Sequence, residues 1–271
     1  MTLLIDFKNV LFRYLDIYND LSFRGQNTGG IYGFVTELCY QINLHKPNSF
    51  LICDDSPPYL RSKIYPNYKL NRKKTTVSPE RSKYIKLSIK QCKEFIDKFN
   101  IPYWSVDGYE CDDLMAVYCK NHPNEKILLI SNDDDLYQLI TKNVTIYNKK
   151  AFTTEELFMT KYGIEPCQWP TVLAMAGSHN NVQNLYKGLG IKTALKIIKN
   201  DEEFKNLMYI YNDKFNENLR LVSLPYNNIP CINPPKVSIN DREVLNFLIR
   251  NFGIRVTSSM EECFNHLKGS L

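Results

Sequence analysis

Five short apolar runs, TLLI at 2–5, SFLIC at 49–53, IPYWSV at 101–106, KILLI at 126–130 and VTIY at 144–147, are separated by segments with helical periodicity. That alternation predicts an α/β protein whose central, mainly parallel sheet is flanked by helices. Sheets of this kind bind ligands just past the carboxyl ends of their strands. Acidic residues gather at those ends. Asp6 closes the first run, Asp54 and Asp55 the second, Glu110, Asp112 and Asp113 follow the third, and Asp133, Asp134 and Asp135 follow the fourth.

An acidic group in the first turn of a helix complements the positive end of the dipole, and this alone accounts for either cluster taken singly. It does not account for four distant segments bringing carboxylates to one sheet edge. Carboxylates a few ångströms apart repel unless a cation lies between them. An all-oxygen set without a nearby His or Cys predicts Mg²⁺ or Mn²⁺, the ions suited to phosphodiester hydrolysis. A phosphatase of the Asp-x-Asp type is disfavoured, because Asp6 is followed by Phe7 and Lys8.

The chain has 271 residues, a net charge of +5 and 44% hydrophobic residues, and its longest apolar runs are of strand length, so no membrane span is expected. Its eight cysteines form no C-x-x-C pair, which argues against a zinc ribbon and for buried thiols in a reducing compartment. MTLLIDFKN lacks a basic leader, so a cytoplasmic location is expected. The charge is concentrated locally. From Arg61 to Lys90 ten Lys or Arg stand against one acid, Glu80, with Tyr65, Tyr68 and Tyr84 among them. Such a stretch is either a solvated face or a nucleic-acid surface in which lysines meet phosphates and rings stack on bases. In SPERSKYIKLSIKQCKEFIDKFN, Ser78 and Pro79 predict a helix start, with Ile85, Ile89, Cys92, Ile96 and Phe99 on its core face.

LLIDFKN, TGGIYGF, ICDDSPPYLRSKIYPNYKLNR, YECDDL, ISNDDDLYQL and GLGIKTAL, in this order, resemble the phage and bacterial 5′ nuclease family, the flap endonucleases and 5′-3′ exonucleases of PIN-like fold. The resemblance runs over roughly residues 1 to 235. It implies a nuclease domain over 1–163, a basic helical arch at about 61–100, and a helical region over 164–271 with a helix, glycine turn and helix that grips duplex DNA. It makes Asp6, Asp54, Glu110 and Asp112, supported by Asp113, the first-metal cluster, with Asp133 and Asp135 toward a second ion. Asp55 and Asp134 receive no role. Lys69 and Arg72 fall where the family places basic side chains over the scissile phosphate. Arg61, Lys73, Lys74 and Lys83 of the arch, and Gly188, Gly190, Lys192 and Lys196 of the glycine turn, are expected to contact DNA. Both glycines can take positive φ and present amides to an anion.

One departure is marked. Where the family has Gly-Asp-x-x-Asp-Asn, this chain has GSHNNV, with Ser178 and Asn181 at the two carboxylate positions. At an effective dielectric of about 20, each lost carboxylate removes on the order of 4 kcal/mol per unit of cation charge at about 4 Å. The second ion should therefore bind weakly or not at all, or be held by substrate phosphate. The resemblance implies a monomeric, divalent-metal-dependent 5′-3′ exonuclease or flap endonuclease acting on branched or 5′-ended duplex DNA, or on RNA primers in RNA/DNA hybrids, alongside replication proteins of phage type. The competing expectation is a branched-DNA-binding protein of the same fold with little turnover. An RNA-cleaving PIN-type nuclease fits the long arch and the glycine turn less well.

Overall fold

The computed structural model describes residues 1–70, 78–148, 151–227, 229–237 and 239–268. The chain forms two compact units that alternate along the sequence. One comprises Met1–Asp54, Val77–Trp104 and Ile232–Leu271, the other Asp55–Thr76 and Ser105–Cys231.

In the first unit, strands β1 (Thr2–Asp6), β4 (Ser49–Cys53) and β5 (Tyr103–Trp104) run parallel, with β4 between the other two. Register pairs Asp6 with Cys53 and Cys53 with Trp104. Every residue of β1 is buried, as expected for a parallel strand covered on both faces. A short hairpin, β2 (Ser22–Phe23) and β3 (Gln26–Asn27), precedes the helix Gly29–His45. The glycines of TGGIYGF have a packing reason: a Cβ on Gly30 would meet Ser88 Oγ at 2.3 Å, and one on Gly33 would meet Tyr14 Cβ at the same distance. Helix and neighbours can approach only because those methyls are missing.

The helix Pro79–Lys98 starts as expected, with the Ser78 hydroxyl accepting from Arg81 N at 3.1 Å. Its buried face differs from the expected stripe. Ser88, Gln91, Cys92, Phe95 and Ile96 are buried, whereas Ile85 and Ile89 are half-buried. Ser88 takes a core position because Gly30 leaves room only for a small side chain. The C-terminal segment completes this core through the helices Asp241–Phe252 and Ser258–Lys268. The latter packs on Gly29–His45, with Asn43 Nδ2 donating to Ser259 O at 2.7 Å.

In the second unit, β6 (Ile127–Ile130) and β7 (Val144–Asn148) are parallel, and β8 (Ala151–Thr153) returns antiparallel to β7. The short β8 carries too little apolar pattern to be read from the sequence. The run IPYWSV gives only the two-residue β5, because Pro102 cannot donate to a ladder. Tyr137, Phe158, Tyr162 and Trp169 form an aromatic cluster joining a 3₁₀ turn (Asp134–Leu139) to the helices Glu155–Tyr162 and Trp169–Ala176. The helices Ile191–Ile197 and Asp201–Val222 follow, the second kinked at Tyr211. Among the described residues no helix is long and apolar enough to cross a membrane.

Candidate active site

In the first unit, Asp6 and Asp54 stand at the same end of neighbouring parallel strands. Asp6, 8% exposed, caps the helix Phe7–Leu15, its Oδ1 accepting from Asn9 N at 2.9 Å. Asp54 is more deeply buried and is ringed by positive and polar groups. Lys8 Nζ lies 3.3 Å from Oδ1, Lys93 Nζ 3.3 Å from Oδ2, and the Tyr103 hydroxyl donates to Oδ2 at 2.6 Å. Lys93 comes from the exposed side of the basic helix, so one basic residue there serves a carboxylate rather than solvent.

In the second unit, Glu110 caps the helix Cys111–Asn121 in a capping box with Asp113. The Glu110 side chain is buried. Its Oε2 accepts from Lys69 Nζ at 2.8 Å and from the Tyr68 hydroxyl at 3.2 Å. Its Oε1 has no hydrogen-bond partner among the described residues. Burial, reinforced by Glu110, raises the Tyr68 pKa, so the phenol stays a neutral donor. Asp112 lies in the first helical turn. Asp55 gains a role the sequence leaves open: its Oδ1 accepts from Cys111 N at 2.8 Å and fixes the start of that helix.

Two expectations are corrected here. Asp113, expected to support a metal, is fully buried and committed to protein donors: Arg61 Nη1 and Nη2 at 2.6 and 2.9 Å, Tyr226 N at 2.8 Å and Glu110 N at 3.2 Å. Arg61, expected to contact DNA, is only 2% exposed and also donates to Leu221 O at 2.8 Å, so it cannot reach a phosphate. Burial alone would lower its pKa, but Asp113 and Glu110 reverse this and raise it. The bidentate pair fastens Arg61 to the first turn of the helix Cys111–Asn121, and its bond to Leu221 O ties it to the end of the helix Asp201–Val222.

Asp133 and Asp135 follow β6. The Asp133 carboxylate accepts from Asp135 N at 2.9 Å. Burial, then Asp133, with Glu110 and Asp134 adding to it and Lys69 opposing, pushes the Asp135 pKa up to about 7. Crowded carboxylates without a compensating cation behave in this way. Asp134 is exposed and contributes its carbonyl to Trp169 Nε1 at 2.9 Å.

Among the described residues Ser178 and Asn181 make no hydrogen bond to these carboxylates, although Ser178 lines the same cavity as Asp135. Ser178 Oγ accepts from Asn180 N at 3.3 Å, and Asn181, at φ +67°, donates from Nδ2 to Asn67 O at 2.8 Å. The two residues between them reach the site instead. Asn180 Nδ2 donates to Asp135 Oδ2 at 3.3 Å, and His179 Nε2 lies 3.8 Å from Asp133 Oδ2. Asp133, Asp135 and His179 each offer one ligand atom, all within 4.8 Å of one another. The expectation of carboxylates without a nearby histidine is thus corrected. The signal was present in the sequence, since His179 sits inside the departing motif, but nothing in the spacing tells that the loop turns its imidazole toward Asp133.

Lys69 is 9% exposed at φ +56°, its backbone held by Asn180 O at 2.9 Å and its Nζ 4.6 Å from the Tyr59 ring centroid. Arg72, Lys73 and Lys74 lie outside the described residues. Lys83 is exposed on its helix. Gly188 takes the expected positive φ, +93°, but Gly190 is extended at φ −100° and caps the helix Ile191–Ile197, correcting the expectation for that position. Lys192 and Lys196 are exposed there.

The buried Glu110 Oε1 and the crowded Asp135 fit a divalent cation: these oxygens have more negative charge than protein donors to meet it. Buried carboxylates at the ends of parallel strands, each set contacted by lysines, have the chemistry of a divalent-cation site in a nuclease. Residues 1–163 match the family model described as 5′-3′ exonuclease, N-terminal resolvase-like domain. A 5′-3′ exonuclease of Aquifex aeolicus is 32% identical over 192 residues, covering 68% of this chain and 64% of that protein. One from Buchnera aphidicola of Acyrthosiphon pisum is 30% identical over 230 residues, 82% of this chain and 76% of that protein. The chain belongs to the 5′-3′ exonuclease family. It shares its fold, a mainly parallel sheet flanked by helices, with the flap endonuclease-1 of Methanococcus jannaschii (TM-score 0.66, 17% identity, 99% of this chain and 91% of that one).

Proposed function

We propose that the chain is a divalent-metal-dependent 5′ nuclease that hydrolyses phosphodiesters in 5′-flap or 5′-ended duplex DNA, or removes RNA primers, in replication or repair of phage type. Glu110 Oε1, a buried carboxylate oxygen with no hydrogen-bond partner among the described residues, carries this reading. Asp6, Asp54, Glu110 and Asp112 hold the first ion, and Asp133 and Asp135 face the second. When bound, the metal supplies Lewis acidity for water attack on the phosphodiester. Mg²⁺ or Mn²⁺ suits the first set, which is all oxygen.

The protein's own groups have separate tasks. Lys69, held by Glu110, and Arg72 stabilise the negative charge that develops on the scissile phosphate. Tyr68 stays neutral and keeps Glu110 oriented. Lys73, Lys74 and Lys83 of the arch guide the 5′-ended strand, while Gly188, Gly190, Lys192 and Lys196 take the duplex. This reading assigns catalysis to residues 1–163 and duplex binding mainly to 164–271, in a cytoplasmic monomer that works beside replication proteins.

A second reading, a branched-DNA binder with little turnover, is favoured by one observation: Ser178 and Asn181 are neutral, and their side chains are bonded to Asn180 N and Asn67 O. Purified protein incubated with 5′-flap, blunt and single-stranded DNA in Mg²⁺, Mn²⁺ or chelator separates the two. Metal-dependent cleavage of the flap supports the nuclease. Retained binding with no cleavage in either metal supports the binder.

A further inference from the structure

The loop that lost its two carboxylates brings an imidazole to the remaining pair. We propose that Asp133, Asp135 and His179 form a mixed carboxylate and imidazole site that selects a borderline transition ion of the Zn²⁺ class over Mg²⁺. The proposal rests on the reading of Asp133 and Asp135 as metal ligands and adds a third ligand and a metal preference.

The three ligand atoms already lie within 4.8 Å of one another. Around an ion with bonds of about 2.0–2.2 Å, tetrahedral ligand atoms stand about 3.4 Å apart, so a small contraction closes the group. The charges match, since two carboxylates and a neutral imidazole neutralise a divalent ion. The donor chemistry decides which ion. Mg²⁺ prefers an octahedron of hard oxygens and sheds water reluctantly, whereas imidazole nitrogen favours Zn²⁺ and its neighbours.

Outer contacts hold the group in place. Asn180 Nδ2 orients Asp135 at 3.3 Å, as hydrogen-bonded outer residues do around metal ligands. The loop itself is fixed by Gly177 at φ +79°, where a Cβ would meet Val182 O at 2.6 Å, and by the Ser178 to Val182 backbone bridge. Asp135 and His179 also line a cavity of about 520 Å³ with Tyr162 and Trp169, which gives an ion and its remaining water ligands a way in. In this arrangement Ser178 and Asn181 shape the loop, and His179 replaces the lost ligands.

The test uses the full chain and Zn²⁺ alone as probe, and so does not depend on nuclease activity. Zn²⁺ is titrated by calorimetry in excess Mg²⁺, and the imidazole nitrogens are followed by ¹⁵N NMR, where four histidines give a countable spectrum. The wild type should bind one more Zn²⁺ than His179→Ala, with one imidazole shifted on binding and that resonance missing in the variant. His179→Asn should weaken that Zn²⁺ by at least about 10-fold. His179 is half exposed, and its removal should leave the thermal melt in chelator unchanged. Equal Zn²⁺ stoichiometry and affinity in wild type and His179→Ala, or no imidazole shifted by Zn²⁺, would overturn the site and leave His179 as a simple ion-pair partner of Asp133. Loss of DNA cleavage with Zn²⁺ binding intact would count against the nuclease reading alone.

Discussion

Arg61 and Asp113 show how one residue's role turns on burial. Both lie in the motifs that resemble the nuclease family, and charge alone points Arg61 at DNA and Asp113 at a metal. The structure pairs them with each other, out of water. Removing one partner leaves an uncompensated buried charge, so Arg61→Ala or Asp113→Ala should each lower stability by about 3–5 kcal/mol in urea denaturation, while Arg61→Met with Asp113→Leu should recover much of the loss. A single variant within about 1 kcal/mol of wild type would show that the pair is not structural. Asp135 gives a pH signature. In chelator, the folded chain keeps its proton up to about pH 7, whereas the unfolded chain releases it near 4. Stability should therefore fall as pH rises through that window, because the folded state binds more protons. Asp135→Asn should melt higher than wild type at pH 8 and together with it near pH 4. Coincident melts at pH 8 would contradict the raised value.

At the scale of elements, the parallel strands and the cap of the basic helix were legible because apolar runs and a Ser-Pro start are local signals. The pairing of β8 and the rotation of the Pro79–Lys98 helix were not, since both depend on what packs against them: β7 for the strand, and Gly30 for the helix at Ser88. The site was legible to the same extent. Acids at strand ends are visible in sequence, but which are held by protein donors, as Asp113 is, and which keep an unmet oxygen, as Glu110 does, is decided by tertiary contacts. His179 entered through the fold of a loop, where spacing gives no guide. The glycine turn makes its own prediction. Lys192→Ala and Lys196→Ala should each weaken duplex binding and reduce the dependence of log K on log salt by about one ion, because each removes a phosphate contact. Unchanged slopes would place the duplex elsewhere.

For the whole molecule, the carboxylates of the proposed chemistry fall in both units, Asp6 and Asp54 in one and Glu110, Asp112, Asp133 and Asp135 in the other. If both sets serve the proposed reaction, losing a carboxylate from either should abolish turnover and spare DNA affinity, since removing negative charge does not weaken binding to phosphate. The most direct measurement is single-turnover cleavage of a 5′-flap substrate, with parallel binding titrations, for the wild type, Asp6→Asn and Asp112→Asn. Metal-dependent cleavage by the wild type is expected, with a loss of at least about 10²-fold in both variants, the size seen when one group stabilising transition-state charge is removed, and flap affinity within a few-fold of wild type. Cleavage by either variant at the wild-type rate would contradict that expectation.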